Sequence, residues 1–108
     1  MTYQIKFRES AAKEWEKLDH SIRRMFAKKL EERALNPRVE SDRLRSLSDC
    51  YKIKLRQVGY RLVYQVIDDI LVVAVVSVGK RDKLIVYAKA EDRREFLSDG
   101  YTRRSGRS

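Results

Sequence analysis

From Tyr51 to Arg56 the chain alternates apolar and basic residues without a break: Tyr51, Ile53 and Leu55 against Lys52, Lys54 and Arg56. A strand gives that spacing two distinct faces, because successive side chains point to opposite sides of a sheet. One face is then apolar and the other carries three cations. Cations in a row on one face repel one another, an arrangement suited to solvent or to an anionic ligand. After Gln57-Val58-Gly59 a second alternating run follows, with Tyr60, Leu62, Tyr64 and Val66 on one side and Arg61, Val63 and Gln65 on the other. The two runs read as a hairpin, and a suitable register places Arg61 beside Lys52 and Lys54.

The rest of the chain supplies partners for that hairpin. Thr2 to Phe7 alternates and predicts an opening strand. Ser10 is the expected cap of a helix carrying Ala11, Ala12, Trp15 and Leu18, with Trp15 in the core. Asp19-His20-Ser21 connects it to a second helix with Ile22, Met25, Phe26 and Leu30, ended by Asn36-Pro37. The lysines, arginines and glutamates between these apolar stripes, among them Lys13, Glu14, Lys29 and Glu32, read as solvated faces with i,i+4 pairs.

Arg38 to Asp49 is a polar loop tacked down by Leu44 and Leu47. Asp68-Asp69 makes a turn, Ile70 to Val78 is a central strand covered on both faces, and Gly79 is expected to turn the chain sharply. Asp82 then caps a last helix with Leu84, Ile85, Tyr87 and Ala88. The order is β-α-α-β-β-β-α: an α+β fold, a small antiparallel sheet packed against two N-terminal helices. Residues 1–97 form the domain, and 98–108, small, polar and basic, read as a disordered tail.

A chain of 108 residues is one domain by size. Its net charge of +9 points to polyanions or an acidic protein partner. No apolar run approaches the ~20 residues that span a bilayer, and the N-terminus lacks a signal-peptide core; no membrane role is expected, and the expected location is cytoplasmic. One cysteine, Cys50, and one histidine, His20, leave no internal disulfide and no Cys/His zinc site. Cys50 reads as a small hydrophobe at a strand start and His20 as a loop residue. No metal or cofactor is expected.

If the basic face binds RNA, the 2′-hydroxyl next to the scissile phosphate is an internal nucleophile. The protein must position it, accept its proton, stabilise the phosphorane and assist the 5′-oxygen. Fixed cations are the strongest lever on that charge, and arginine presents phosphate with a planar fork. Lys52, Lys54, Arg61 and Arg81 are the candidates to surround one phosphate. Mutual repulsion lowers a lysine's pKa and makes it a better proton acceptor. Tyr87 offers a hydroxyl in the same cationic field, while Asp82, the one acid in these segments, reads as a cap. Arg43 and Arg45, just upstream, extend the positive face. On charge and alternation alone, a plain nucleic-acid-binding surface is the simpler reading.

The run Cys50–Val66 and the segment Ser77-Val78-Gly79-Lys80-Arg81 closely resemble the RelE toxins of bacterial type II toxin–antitoxin systems, part of the RelE/ParE superfamily. The resemblance covers roughly residues 1 to 90 and fades beyond. It implies a RelE-like fold of the microbial-ribonuclease type and an mRNA interferase that cuts the codon in the ribosomal A site, leaving a 2′,3′-cyclic phosphate and a 5′-hydroxyl. It implies a catalytic set of Lys52, Lys54, Arg61, Arg81 and Tyr87: Lys52 or Lys54 as proton acceptor with Tyr87 orienting the 2′-hydroxyl, Arg61 on the phosphorane, Arg81 on the leaving oxygen. Further RNA contacts are expected from Arg45, Arg56, Lys80 and Lys83. The implied partners are mRNA, the small ribosomal subunit with its rRNA, and a RelB-like antitoxin. The competing readings are a ParE-like inhibitor of DNA gyrase that is not an enzyme, and the plain binding module.

Overall fold

The alternating runs become strands and the apolar stripes become helices. The computed structural model describes residues 2–80. In chain order they form β1 (Gln4–Phe7), α1 (Glu9–Glu16), α2 (His20–Leu35), a 3-10 turn at Glu40–Asp42, β2 (Cys50–Leu55), β3 (Tyr60–Ile67), a second 3-10 turn at Asp68–Ile70, and β4 (Val72–Lys80). The expected last helix and the 98–108 tail lie outside the described residues.

The four strands make one sheet in the order β1-β4-β3-β2. β2, β3 and β4 form an antiparallel meander, as the turn residues require, with Gly59 at φ +74 in the hairpin loop, a conformation that suits glycine. β1, however, pairs with β4 in parallel, so the sheet is mixed rather than wholly antiparallel. The physical reason is the two-helix crossover: it carries the chain over one sheet face, and such a crossover restarts the next strand in the same sense.

One face of the sheet packs on the helices. Tyr51, Ile53 and Leu55 of β2, Leu62, Tyr64 and Val66 of β3, and Val73, Val75 and Val78 of β4 meet Ala11, Ile22, Phe26 and Leu30. Trp15 sits in this core as expected, with its ring centroid 5.0 Å from Phe7 and 6.3 Å from Phe26. Met25, expected on the same stripe, is 40% exposed at the rim. The opposite face has a smaller apolar cluster of Leu47, Cys50, Val63, Val72, Ala74 and Val76, with Leu44 against it. β4 is therefore buried on both sides, and Leu44 and Leu47 tack the loop to the sheet.

Several local expectations change. His20, read as a loop residue, opens α2, with Asp19 at the N-cap. Helix α1 begins at Glu9 with Arg8 at the N-cap, so Ser10 lies inside it. The Arg8 N–H donates to the Val75 carbonyl at 2.9 Å, continuing the β1–β4 ladder up to the first turn of the helix. Gly79 is a strand residue opposite Arg61, not a turn. Pairing with β3 carries β4 on to Lys80.

A bulge in β4 sets the phase of that strand end. Val63 pairs with Ser77 and Tyr64 with Val75, leaving Val76 as the extra residue. Val76 and Ser77 thus lie successively on the face away from the helices, after which Val78 returns to the helical core and Gly79 to the far face. Without the bulge, Val78 would take the place beside Arg61.

Candidate nucleic-acid interface

The basic residues of β2 and β3 come together through the register. Lys54 pairs with Arg61 and Lys52 with Val63. Directly paired residues share a face, so Lys52, Lys54 and Arg61 all project from the side opposite the helices. On the other flank of Arg61 stands Gly79, which puts no side chain on that face. A strand glycine at such a point allows a ligand close approach to the backbone.

Two depressions adjoin this strip. One, of about 140 Å³, is lined by Lys54, Leu55, Arg56, Gly59, Tyr60 and Arg61. The other is an open cleft of about 670 Å³ lined by Glu40, Ser41, Arg43, Arg45 and Lys52. Lys52 and Lys54, about 7 Å apart along the strand, stand one at each. Five of the expected cations therefore share one strip: Lys52, Lys54, Arg56 and Arg61, with Arg45 reaching it from the loop. Arg43 joins them, bracketed by an isolated bridge to Tyr51 and a 3.4 Å ion pair with Glu40.

Crowding has the expected electrostatic effect. Lys54 is held below its usual pKa of 10.5, chiefly by the Lys52 ammonium, then by desolvation and by Arg56 and Arg61; Asp42 acts in the opposite direction. A lysine so placed reaches its neutral, proton-accepting form more readily.

The strip rests on a polar frame that the sequence reading missed. Arg33 of α2 donates to the Lys52 carbonyl at 3.2 Å, to the Tyr64 hydroxyl at 2.8 Å and to Asp42 at 2.6 Å. Tyr64 in turn donates to the Pro37 carbonyl at 2.7 Å and stacks on Tyr51 with ring centroids 5.7 Å apart. One signal was present in the sequence: Arg33 falls three residues after Leu30, on the buried stripe of the helix. Arg38 makes a second hub, bonded to Asp68, Asp49 and the Tyr51 hydroxyl. Glu14, expected on a solvated face, accepts the Val78 N–H at 3.1 Å, where β1 has already left the edge of β4.

Lys80 does not join the strip. It pairs with Tyr60, whose side chain packs on the helical core, so its position falls on that side of the sheet. Arg81, Lys83 and Tyr87 lie outside the described residues. No helix among the described residues is long and apolar enough to cross a membrane.

Comparison with known proteins agrees with this architecture. Residues 5–85 match the family described as ParE toxin of the type II toxin-antitoxin system, parDE. A putative RelE-like toxin protein of Escherichia coli is 58% identical over 93 residues, covering 86% of this chain and 98% of the relative. The mRNA interferase toxin RelE of Escherichia coli strain K12 is 54% identical with the same coverage. Among solved structures, a mutant of E. coli toxin RelE in the free state superposes with a TM-score of 0.81 at 53% identity, covering 86% of this chain and 98% of that one. The toxin in the intact E. coli RelBE toxin–antitoxin complex gives 0.71 at 56% identity, covering 72% and 95%.

Proposed function

The chain belongs to the RelE family of type II toxin–antitoxin toxins, and from that premise we propose that it is a ribosome-dependent endoribonuclease toxin that cleaves mRNA in the A site. The observation that carries this reading is the 54% identity to an mRNA interferase toxin over 98% of that protein's length. The cationic strip of Lys52, Lys54 and Arg61 on one sheet face supports it.

In the scheme, the 2′-oxygen attacks the adjacent phosphorus and the bond from phosphorus to the 5′-oxygen breaks. The products are a 2′,3′-cyclic phosphate and a 5′-hydroxyl. Neutral Lys54 takes the proton of the 2′-hydroxyl, a role favoured by its lowered pKa. Lys52 and Arg61 hold the equatorial oxygens as charge builds on the phosphorane. Tyr87 orients the nucleophile, Arg81 stabilises the charge on the departing 5′-oxygen, and water supplies the proton that completes the 5′-hydroxyl. The nucleophile comes from the substrate, so the scheme needs no metal. Arg45 and Arg56 grip flanking phosphates of mRNA or rRNA; Lys83 is a further phosphate contact, as is Lys80 outside the strip. The domain is residues 1–97, with 98–108 a basic tail.

The ribosome supplies what the strip lacks, a way of holding the nucleotide in line; such orientation is worth several kcal/mol of barrier. A RelB-like antitoxin is the inhibitor, and a net charge of +9 favours an acidic one. The site of action is the cytoplasm. The gyrase-inhibiting alternative draws on the ParE description of the matched family; the 54–58% identity to RelE toxins favours the nuclease.

The test is toeprinting of a translated mRNA with the purified protein, with the product ends mapped. Cuts within the A-site codon, ending in a cyclic phosphate and blocked by a single 2′-deoxy substitution, are expected. Products with a 5′-phosphate, or no A-site cut, would overturn the reading.

A further inference from the structure

Among the described residues β2 is one of the two edge strands of the sheet, and an edge leaves backbone groups without ladder partners. The Cys50 carbonyl points outward, where it accepts the Leu44 N–H at 2.9 Å. By the two-residue repeat of the ladder, the Lys52 carbonyl points the same way. There it meets the Arg33 guanidinium at 3.2 Å. The same guanidinium holds Asp42 at 2.6 Å, with both side chains mostly buried (14% and 23% exposed). Asp42 closes the 3-10 turn that leads directly to Arg43 and Arg45. One side chain of α2 therefore joins the strand under Lys52 to the loop forming the opposite wall of its cleft.

We propose that Arg33 is a positioning residue for the cleavage site: it commits the Asp42 carboxylate to itself and ties the loop to β2, keeping the cleft of Arg43, Arg45 and Lys52 cationic and in register with Lys54. The proposal rests on the nuclease reading above. Its physical core is charge economy. Asp42 is a carboxylate within electrostatic reach of Lys54. Held by Arg33, it is largely neutralised. Released, it competes with the RNA phosphate for the lysines and pulls them out of line.

The experiment compares wild type, Arg33→Met, and Arg33→Met with Asp42→Asn, in single-turnover cleavage on programmed ribosomes. Arg33→Met should raise the half-saturating ribosome concentration about tenfold, the scale of one lost charge-assisted hydrogen bond, with a smaller fall in the saturated rate. Adding Asp42→Asn should recover most of that loss. A purely structural clamp predicts the reverse, since the second change would loosen the loop further. An unchanged Arg33→Met protein, or a double variant worse than the single, would overturn the proposal.

A second readout does not depend on cleavage. The Lys54 side chain is titrated by NMR in lysine-labelled protein. The charged groups around it are Lys52 on β2, Arg56 just past its end, Arg61 on β3, Asp42 on the turn and Lys29 on α2. Its midpoint should rise in Arg33→Met and fall back in the double variant; no movement would overturn the proposal. If wild type does not cleave, the functional reading fails and this titration still decides the role of Arg33. If Arg33→Met does not fold, Arg33→Lys replaces it in both measurements. One ammonium cannot span Asp42, the Lys52 carbonyl and Tyr64 together, so a smaller change of the same sign, again relieved by Asp42→Asn, is expected, and its absence would overturn the proposal.

Discussion

Lys54 and Arg61 stand directly opposite each other across the β2–β3 ladder, on the face turned away from the helices. Two like charges in that position weaken a strand pair. The fold keeps them together, and each should therefore be worth more to function than to stability.

Lys54→Ala and Arg61→Ala are each expected to slow cleavage by about 10²–10³-fold, the range for removing one group that stabilises transition-state charge. Lys54→Ala should not lower Tm, because Lys54 stands among like charges on Lys52, Arg56 and Arg61 and lies outside the apolar core. Single-turnover cleavage on programmed ribosomes and a thermal melt check the pair. A large loss of Tm alongside the loss of activity would assign these residues to the scaffold.

The pH profile follows from the lowered pKa of Lys54. A base acts when neutral, so the rate should rise with pH and level off once pH passes the folded-state pKa, which lies below the usual 10.5. Lys52 is the largest cause of the lowering. Lys52→Ala should thus shift the rising limb to higher pH, in the direction of an ordinary lysine, besides reducing the plateau. A limb that stays in place would remove Lys54 from the role of base.

The Tyr3–Asp68–Arg38 contacts give a pH-dependent stability. Tyr3 donates to Asp68 at 2.6 Å and Arg38 to the other oxygen at 2.7 Å. The tyrosine hydrogen bond first, and Arg38 second, hold the Asp68 carboxyl below its usual 3.8. A carboxyl with a depressed folded-state pKa stabilises above its unfolded value and loses that contribution as pH falls through the folded one. Asp68→Asn should lower Tm modestly at neutral pH, and the gap from wild type should close below pH 3.8. A gap that persists in acid would mean the effect is not electrostatic.

Tyr64→Phe tests the frame beneath the basic strip. The ring is fully buried, and its hydroxyl bridges Arg33 and the Pro37 carbonyl. Deleting one oxygen leaves both partners short of a bond, at a cost of about 1–3 kcal/mol. Urea unfolding should show this as a lower midpoint with an unchanged slope. An unshifted midpoint would show that water replaces the hydroxyl without cost.

Ribosome association should weaken steeply as salt rises, because the strip binds by displacing counterions from phosphates. Sedimentation of the protein with ribosomes over a salt series measures the slope. Replacing Arg45 should make that slope shallower. Binding indifferent to salt would contradict a phosphate-gripping surface.

The sequence alone determined everything that depends on local period. Alternation put Lys52 and Lys54 on one face of β2, the hairpin loop brought β3 back beside it, and Asn36-Pro37 stopped α2. These follow from the geometry of neighbouring residues, which the chain carries wherever it goes. Tertiary structure alone decided what depends on partners far away in the chain. The four residues of β1 alternate identically whichever way they pair, so their parallel docking on β4 is set by the helical crossover. The bulge at Val76 lies in a valine-rich run, broken only by Ala74 and Ser77, that shows no alternation to fix its faces, yet it puts Gly79 rather than Val78 beside Arg61. Arg38 looks like a surface cation in a chain rich in them, and Arg33 is set apart in the sequence only by its place three residues after Leu30. They are distinguished by carbonyls, hydroxyls and carboxylates up to 31 residues away, and burial makes those bonds matter because an unmet polar group out of water is costly.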